Sequence, residues 1–398
     1  MPKPPSRGEF IALLALLFAT IALSIDAMLP ALPEIAAALS PDDPNKAQLV
    51  ITSFVLGMGV GTLFAGPLSD AFGRKSAILA GFVLYILAAA ACWAAPSLET
   101  LLIARVVQGI GAAFPRTVSI AMVRDRFKGR EMAQIMSFAM MIFTLVPAVA
   151  PLMGQGVIVL AGWQAIFVAY IAFALLVSGW FAMRQPETLA PADRRPLSLA
   201  PLARASVEVL SHRVVLISIA AQALTLGMLF AALSSMEGIF AQRFDRAASF
   251  PLWFAVIAVA SMSGSILNAR LVMRLGMRVM VQVTYGVLLA VTLIYLALHL
   301  GDALKADLAF GLHILWSVVL FAVMGLTLGN LSALAMEPLG HIAGLAASVT
   351  SAIATVVSVG LAVPVGLMFD GTQGPLLVGV AVYGVAALGL ALALKVRA

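Results

Sequence analysis

The sequence predicts an all-α membrane protein whose chain crosses the bilayer twelve times. Of its 398 residues, 62% are hydrophobic and only 11% are charged, whereas soluble domains carry about 25% charged residues. Twelve apolar segments follow one another along the chain, each about as long as the roughly 20 residues that cross a hydrocarbon core. The alternating ten-residue strands of an outer-membrane barrel are absent from the sequence. Composition and segment length therefore favour helices over strands.

The apolar segments divide the chain into two halves. In chain order they lie at 10–30, 47–68, 76–95, 100–122, 133–160, 163–183, 214–238, 250–271, 279–300, 308–335, 343–368 and 375–395. Six precede and six follow the stretch 185–213, which is rich in proline, alanine and arginine. We therefore expect an N-terminal six-helix half over 1–184, a cytoplasmic linker over 185–213 and a C-terminal six-helix half over 214–398, with a substrate site between the halves.

The positions of lysine and arginine predict the orientation. With both termini in the cytoplasm, the inner loops hold 18 of the 24 basic residues and the outer loops hold four. Cytoplasmic loops carry the excess of basic residues, so we expect a multi-pass membrane protein with both termini in the cytoplasm. The inner residues are Lys3, Arg7, Arg74, Lys75, Arg124, Arg126, Lys128, Arg130, Arg184, Arg194, Arg195, Arg204, Arg213, Arg270, Arg274, Arg278, Lys395 and Arg397. Because these charges are spread over loops and form no patch on a soluble domain, no nucleic-acid partner is predicted.

Several function classes lack the residues that they need. The single cysteine, Cys92, precludes an intramolecular disulfide, and the four histidines are too scattered for metal ligands, so no metal or cofactor is predicted. The sequence has no G-x-x-x-x-G-K-[ST] loop for ATP and no H-E-x-x-H pair for an intramembrane enzyme. The first apolar run exceeds a signal-peptide core and no small-residue cleavage site follows it. We therefore expect a retained first helix and no enzyme activity.

One carboxylate, Asp26, lies near the far end of the first apolar segment. A charged residue within a span costs at least about 2.5–3.5 kcal/mol at the helix centre, and such residues usually face a bundle interior or an aqueous cavity. The functional interpretation is a group that carries a proton along a transport pathway. The alternative is a hydrated carboxylate at the membrane interface.

The turn GPLSDAFGRK, which follows the second apolar segment, carries the most specific motif. Gly66 permits close helix packing, Asp70 is expected to accept hydrogen bonds from amides at a helix N-terminus, and Gly73 makes a tight turn. Arg74 helps to hold the loop inside the cell. A similar turn after the eighth segment places Gly276 at an offset of 203 residues from Gly73, which indicates a faint internal repeat.

The fourth segment carries an arginine and a motif of the form R-x-x-Q-G-x-G. Its members are Arg105, Gln108, Gly109 and Gly111. An arginine inside a span is costly unless it is paired, and Arg105 is expected at the depth of Asp26, so we predict an ion pair or a shared proton network. The alternative is that Arg105 binds backbone carbonyls. Arg116 lies eleven residues further on, which returns it to nearly the same helix face.

The fifth segment contains VPAVAPLMGQG, with Pro147, Pro151 and Gly154. Prolines and glycines bend and thin a spanning helix where a neighbouring helix comes close. This stretch either belongs to a conformational motif or is simply a kinked packing helix.

These motifs resemble those of one family. GPLSDAFGRK resembles the loop 2–3 signature of the major facilitator superfamily, and the motifs of the fourth and fifth segments resemble those of its drug:proton antiporter branch. PALPEIAAAL after Asp26 and AMEPLGHIAGLAASVTSA between the tenth and eleventh segments resemble bicyclomycin- and chloramphenicol-resistance exporters. Ala71 stands where the family usually has a basic residue, and Ala150 and Gln155 replace two glycines. One cytoplasmic charge contact is therefore expected to be missing, and the antiporter match is partial.

The resemblance implies the major facilitator fold and proton-coupled efflux of phenicol- or bicyclomycin-like drugs by alternating access. The expected partners are a small-molecule drug, protons and the lipid bilayer, with the chain as a monomer. Asp26 and Arg105 are the expected proton-coupling residues. The candidate substrate-binding residues are Asp26, Phe54, Phe114, Arg116, Gln222, Trp316 and Asn330. All of them except Asp26 and Arg116 have packing as the alternative. The alternative function is transport of a metabolite such as a sugar, an amino acid or a siderophore by the same fold.

Overall fold

The described chain is entirely helical. The structure is a computed structural model that describes residues 5–194, 196–198, 200–301 and 305–394, with the side chains at 133, 143 and 144 left outside the description. Within these residues every regular element is a helix, so the all-α prediction is confirmed. Four of the 18 basic residues that predict the orientation lie outside the described residues, namely Lys3, Arg195, Lys395 and Arg397.

Fourteen α-helices form among the described residues. They are α1 (Arg7–Asp26), α2 (Leu32–Leu39), α3 (Leu49–Phe72), α4 (Arg74–Trp93), α5 (Leu98–Arg126), α6 (Gly129–Ala161), α7 (Ala165–Arg184), α8 (Ala200–Ser211), α9 (Arg213–Gly238), α10 (Phe250–Leu275), α11 (Met277–Leu300), α12 (Ala306–Met336), α13 (Ala343–Leu367) and α14 (Gly374–Ala393). Two differences from the sequence prediction stand out. The first span does not run unbroken to residue 30, because α1 ends at Asp26, and the predicted linker contains α8.

Twelve of these helices are long enough to cross a membrane. Eleven helical runs of the described chain have the length and hydropathy of a span, and one of them, Ala306–Leu367, extends over 62 residues. That run holds both α12 and α13, separated by a 3₁₀ segment in which Leu339 leaves the helical region at φ −114° and ψ 20°. Pro338 lies at the break, where its missing N–H cannot continue the helix. The twelve predicted spans are therefore confirmed, and the protein is a multi-pass membrane protein.

The first of two compact units comprises Met1–Asp42 and Ser53–Arg204. Within it α1 packs against α5, α6 and α7, and α4 packs against α5 and α7. Helix α5 also touches α3 closely: a Cβ atom on Gly109 would lie 2.0 Å from the carbonyl oxygen of Phe54. Small residues at such a crossing let two backbones meet, which explains the first glycine of the motif on α5.

The second unit comprises Asp43–Thr52 and Ala205–Ala398. Helix α9 packs against α12, α13 and α14, while α12 also packs against α10 and α11. The side chain of Asn45 donates to the carbonyl oxygens of Leu367 at 3.1 Å and Phe369 at 2.7 Å, which fixes the beginning of α3 within this unit. The predicted boundaries at 184 and 214 remain predictions.

The internal repeat is visible in the backbone. Gly73 precedes α4 with φ 99°, and Gly276 precedes α11 with φ 80°. Both values are positive, a region that glycine enters without steric cost. The third helix of each six-helix half therefore begins with the same glycine turn.

Candidate functional site

Asp26 is the last residue of α1 and is buried, with 5% of its surface exposed. Pro30 lies in the 3₁₀ segment that follows, and a proline in a continuing helix would remove a backbone hydrogen bond. The N–H of Met28 accordingly bonds to the carbonyl oxygen of Ile25 at 3.3 Å instead of continuing the α-helical pattern. The carboxylate thus lies where α1 breaks, and the last carbonyls of α1 need other partners.

Arg105 supplies one of those partners. It is fully buried on α5, and its Nη2 donates to the carbonyl oxygen of Ser24 at 3.0 Å. Its Nη1 donates to Oε1 of Gln108 at 2.7 Å, and its guanidinium lies 4.5 Å from the ring centroid of Phe54. A desolvated guanidinium over an aromatic face gains about 2 kcal/mol or more. Arg105 therefore ties α3 and α5 to α1 two residues before Asp26.

Ser24 is the point at which four helices meet. Its carbonyl oxygen also accepts from the hydroxyl of Tyr170 on α7 at 3.3 Å. Its own hydroxyl donates to the carbonyl oxygen of Thr20 at 2.6 Å and lies 2.6 Å from the hydroxyl of Tyr85 on α4. The broken end of α1 is thus held by side chains from α4, α5 and α7.

A matching hydroxyl pair occurs in the second unit. The Oγ1 of Thr225 on α9 donates to the carbonyl oxygen of Ala221 at 2.9 Å and lies 2.6 Å from the hydroxyl of Tyr285 on α11. The first and third helices of each half are therefore joined through a tyrosine. Sequence reasoning missed these tyrosines, although the chain has only five in all.

The sequence predicted that Arg105 would pair with Asp26 or share a proton network with it. In the structure Arg105 binds the backbone carbonyl oxygen of Ser24, two residues before Asp26. Binding to backbone carbonyls is the alternative that the sequence left open for Arg105. Proton coupling by these two residues remains a prediction.

The motif on α6 lies against the chain just beyond Asp26. A Cβ atom on Gly154 would lie 2.1 Å from the carbonyl oxygen of Ala27, so only glycine allows the two backbones to approach this closely. Pro147 and Pro151 lie inside the same helix. A role of this motif in conformational change remains a prediction.

The loop motif forms a charge cluster around Arg74. Its guanidinium bonds to Asp70, to Oγ of Ser69 at 2.7 Å and to Oδ2 of Asp125 on α5 at 3.0 Å. The side chain of Arg74 is mostly buried. Gly66 also contributes, because its carbonyl oxygen accepts from the Ser69 hydroxyl at 2.8 Å. The cluster holds the end of α3 and the end of α5 to the start of α4.

Glu187 caps α4 and was missed by sequence reasoning. Its Oε1 accepts from the N–H of Arg74 at 2.9 Å and its Oε2 accepts from the N–H of Lys75 at 3.1 Å. We expected Asp70 to accept amides at this turn, but Asp70 pairs with the Arg74 side chain instead. A Cβ atom on Gly73 would meet only the movable carboxylate of Glu187 and guanidinium of Arg194, so it is the positive φ at this position that favours glycine.

Two of the candidate substrate residues on α5 differ in exposure. Phe114 is 9% exposed and packs against α4. A Cβ atom added to Gly81 on α4 would lie 2.5 Å from the Cβ atom of Phe114. Arg116 is exposed. The structure thus assigns Phe114 a packing contact.

Three candidates in the second unit are buried and hydrogen-bonded. Gln222 accepts from the hydroxyl of Ser332 at 3.3 Å, and Trp316 donates to the hydroxyl of Thr292 at 3.0 Å. Asn330 donates to an asparagine side chain on α10 at 2.7 Å. Each therefore has a structural partner, and substrate contact by any of the candidates remains a prediction.

The sequence matches the family model described as Major Facilitator Superfamily over residues 14–364. It is 30% identical over 354 residues to the uncharacterized MFS-type transporter YdgK of Bacillus subtilis (strain 168), covering 87% of this chain and 86% of that protein. It is 31% identical over 291 residues to the bicyclomycin resistance protein homolog of Haemophilus influenzae, covering 72% of each chain. A shorter match, 31% over 170 residues, joins 42% of this chain to 43% of the multidrug resistance protein MdtL of Escherichia coli (strain K12).

Solved structures show the same fold. A D-xylose-proton symporter aligns with a TM-score of 0.75 at 14% identity, covering 96% of this chain and 97% of that one. The human organic anion transporter MFSD10 (TETRAN) aligns with a TM-score of 0.66 at 18% identity, covering 97% and 100%. At these identities the likeness concerns the fold alone. The family match over residues 14–364 and the identity to YdgK show that this chain belongs to the Major Facilitator Superfamily.

Proposed function

We propose that this transporter exports small, partly apolar drugs of the phenicol or bicyclomycin type in exchange for protons, by alternating access. It acts as a monomer in the bacterial inner membrane, with both termini in the cytoplasm. The similarity to relatives named for bicyclomycin and multidrug resistance supports the substrate class. The observation that carries the proposal is the buried carboxylate of Asp26 at the broken end of α1.

The surroundings of Asp26 fit a group that gains and loses a proton. A buried carboxylate is costly while it is charged, and the C-terminal end of a helix carries partial negative charge that adds to this cost. A proton from the outer compartment removes the charge, and loss of the proton to the cytoplasm restores it. The neutral carboxyl group favours a buried environment, whereas the charged carboxylate favours a hydrated one. Proton binding therefore shifts the balance between inward-facing and outward-facing arrangements.

The surrounding network holds the end of α1 during this cycle. Arg105 and Tyr170 bind the carbonyl oxygen of Ser24, so any movement of Asp26 changes contacts with α5 and α7. Gly154 lets α6 follow the same segment. In this proposal Arg105 is a positioning residue, and Asp26 is the group that carries the proton.

Drug susceptibility of an efflux-deficient bacterium tests the proposal. The chain is expressed with and without a protonophore, and growth is measured with phenicols, bicyclomycin, fluoroquinolones and cationic dyes. We expect protection against one or two of these compounds, which the protonophore and Asp26→Asn both abolish. The control is Glu34→Gln, which changes an exposed carboxylate on α2 and should leave protection intact. No protection against any compound, with the protein present in the membrane, would favour the metabolite transporter.

A further inference from the structure

His313, on α12 of the second unit, is fully buried and lacks hydrogen-bond partners. Among the described residues neither its Nδ1 nor its Nε2 makes a hydrogen bond. A neutral imidazole has one donor and one acceptor, and each buried polar group left unsatisfied destabilises the folded state. Buried polar groups in folded proteins are nearly always paired. The cost at His313 therefore calls for an explanation.

Four aromatic side chains enclose this imidazole, and we call the set the aromatic box. Trp316 stacks on it with ring centroids 5.8 Å apart and an interplanar angle of 27°. The ring centroids of Phe244, Phe240 and Tyr295 lie 5.4 Å, 6.0 Å and 6.2 Å away. The box excludes water from the imidazole in this arrangement.

Two sides of the box come from an irregular segment. Phe240 lies in the π-helical turn Ile239–Arg243 that follows α9, and Phe244 comes directly after it. π-helical turns are rare and are frequent at functional sites. Asp245 then adopts φ 54°, which is uncommon for a residue other than glycine. We call Phe240 and Phe244 the lid. Phe310 packs on both rings, with centroids 5.6 Å and 5.2 Å away, and the N–H of Arg246 donates to the carbonyl oxygen of Phe240 at 2.8 Å, so opening the lid means separating these contacts.

A row of polar groups runs from the box to the end of α11. The hydroxyl of Tyr295 and Oε1 of Gln373 are both buried without a hydrogen-bond partner among the described residues, and the Tyr295 hydroxyl faces Gln373. Nε2 of Gln373 lies 3.2 Å from Nδ1 of His299, which is partly exposed. Water molecules that bridge such groups are nearly as favourable as direct hydrogen bonds. The α11 side of the box therefore carries polar atoms that can bind water, and it ends at the partly exposed His299.

The charged groups around the box are few. Arg243 is the last residue of the π-helical turn, and Arg246 pairs with Asp307 at 3.5 Å. Glu237 is buried on α9 one turn before the lid. The first half of α10, which also packs against α12, has no titratable residue. None of these groups bonds to His313 in the described chain.

We propose that His313 is a second proton-binding site of the transporter and that binding a proton there opens the lid. A charged imidazolium is costly inside a closed aromatic box, whereas water can solvate it once the lid has moved. A ligand shifts a conformational equilibrium by its difference in affinity for the two states, so the proton favours the open state. The proton comes from a hydronium ion, adds to the lone pair of a ring nitrogen and returns to water on release. The site lies apart from Asp26 in the chain and goes beyond the proposed export cycle.

Quenching of Trp316 fluorescence by acrylamide tests the proposal. The chain has five tryptophans, so the signal of Trp316 is the difference between the wild-type protein and Trp316→Phe in lipid nanodiscs. Trp316 is fully buried and should be shielded at about pH 7.5. A solvated histidine changes charge between about pH 5 and 8, and the closed box disfavours the charged form, so we expect the quenching of Trp316 to rise at least threefold as the pH falls from about 7.5 to about 4. His313→Gln keeps a donor and an acceptor but does not titrate, and it should stay shielded at both pH values.

Two further variants make the test decisive. His313→Phe removes both unsatisfied nitrogens, so it should fold at least as stably as the wild type and should also stay shielded. His341→Gln changes an exposed histidine on the same unit and should respond to pH like the wild type. A wild-type protein that stays shielded at low pH would overturn the proposal. So would a pH response that persists in both His313 variants or that disappears in His341→Gln.

Discussion

Adding one methyl group at Gly154 tests whether α6 must lie against the end of α1. In Gly154→Ala the new Cβ atom would lie 2.1 Å from the carbonyl oxygen of Ala27, whereas ordinary contacts begin at 3.4 Å. The difference of these two distances means that the backbones must separate by 1.3 Å. Overpacking of this kind costs about 1–3 kcal/mol, or roughly 5- to 150-fold in the folding equilibrium. We also expect weaker drug protection, because the displaced segment follows Asp26.

Gly156 provides a matched control on the same helix. A Cβ atom there meets nothing within 4 Å, so Gly156→Ala should gain up to about 1 kcal/mol from the better helix propensity of alanine. Both variants share that gain, and their difference therefore isolates the contact with Ala27. The single cysteine, Cys92, is buried and free, so its reaction with a thiol-specific fluorophore during heating reports unfolding. Equal midpoints for the two variants would refute the close contact and with it the role that we give to Gly154.

Three further substitutions test other contacts. Glu187→Gln weakens the acceptor that caps α4 and should lower the free energy of unfolding by about 1 kcal/mol. The same change at exposed Glu34 should leave that free energy unchanged. Equal effects of the two substitutions would contradict the cap. Tyr85→Phe removes the hydrogen bond to Ser24 and should cost about 0.5–1.5 kcal/mol with export retained; an unchanged midpoint would exclude a structural role for that bond. Arg105→Lys loses the planar fork that binds Gln108 and the carbonyl oxygen of Ser24. It should lower the free energy of unfolding by about 1.5–3 kcal/mol and abolish export. A variant that keeps both its stability and its export would show that only the positive charge matters.

The fold could be predicted from the sequence because its signals are local. Each span needs only a run of apolar residues, and the turn before α4 needs only a glycine at its positive φ. The repeat at Gly276 was visible for the same reason. The break of α1 at Asp26 was not predicted, because Pro30 lies four residues beyond the point at which the hydrogen-bond pattern changes.

The site was predictable only where a residue is out of place in a membrane. Asp26 and Arg105 stand out because a charge in a span is costly. The carbonyl oxygen of Ser24 does not stand out, since its role depends on where α1 ends and on side chains from three other helices. Glu187 caps α4 from 112 residues away in the chain. His313 acquires its box from α11, from α12 and from the irregular segment that follows α9, so both features depend on tertiary structure that sequence patterns do not contain.

Drug-driven proton movement in proteoliposomes tests the central claim most directly. The purified chain is reconstituted with a pH-sensitive dye inside the vesicles, and a compound against which it protects cells is added to one side. We expect a change in internal pH with the wild-type chain and with Glu34→Gln, and none with Asp26→Asn, although that variant still binds the drug. Proton movement that persists in Asp26→Asn would contradict the assignment of Asp26 as the group that carries the proton.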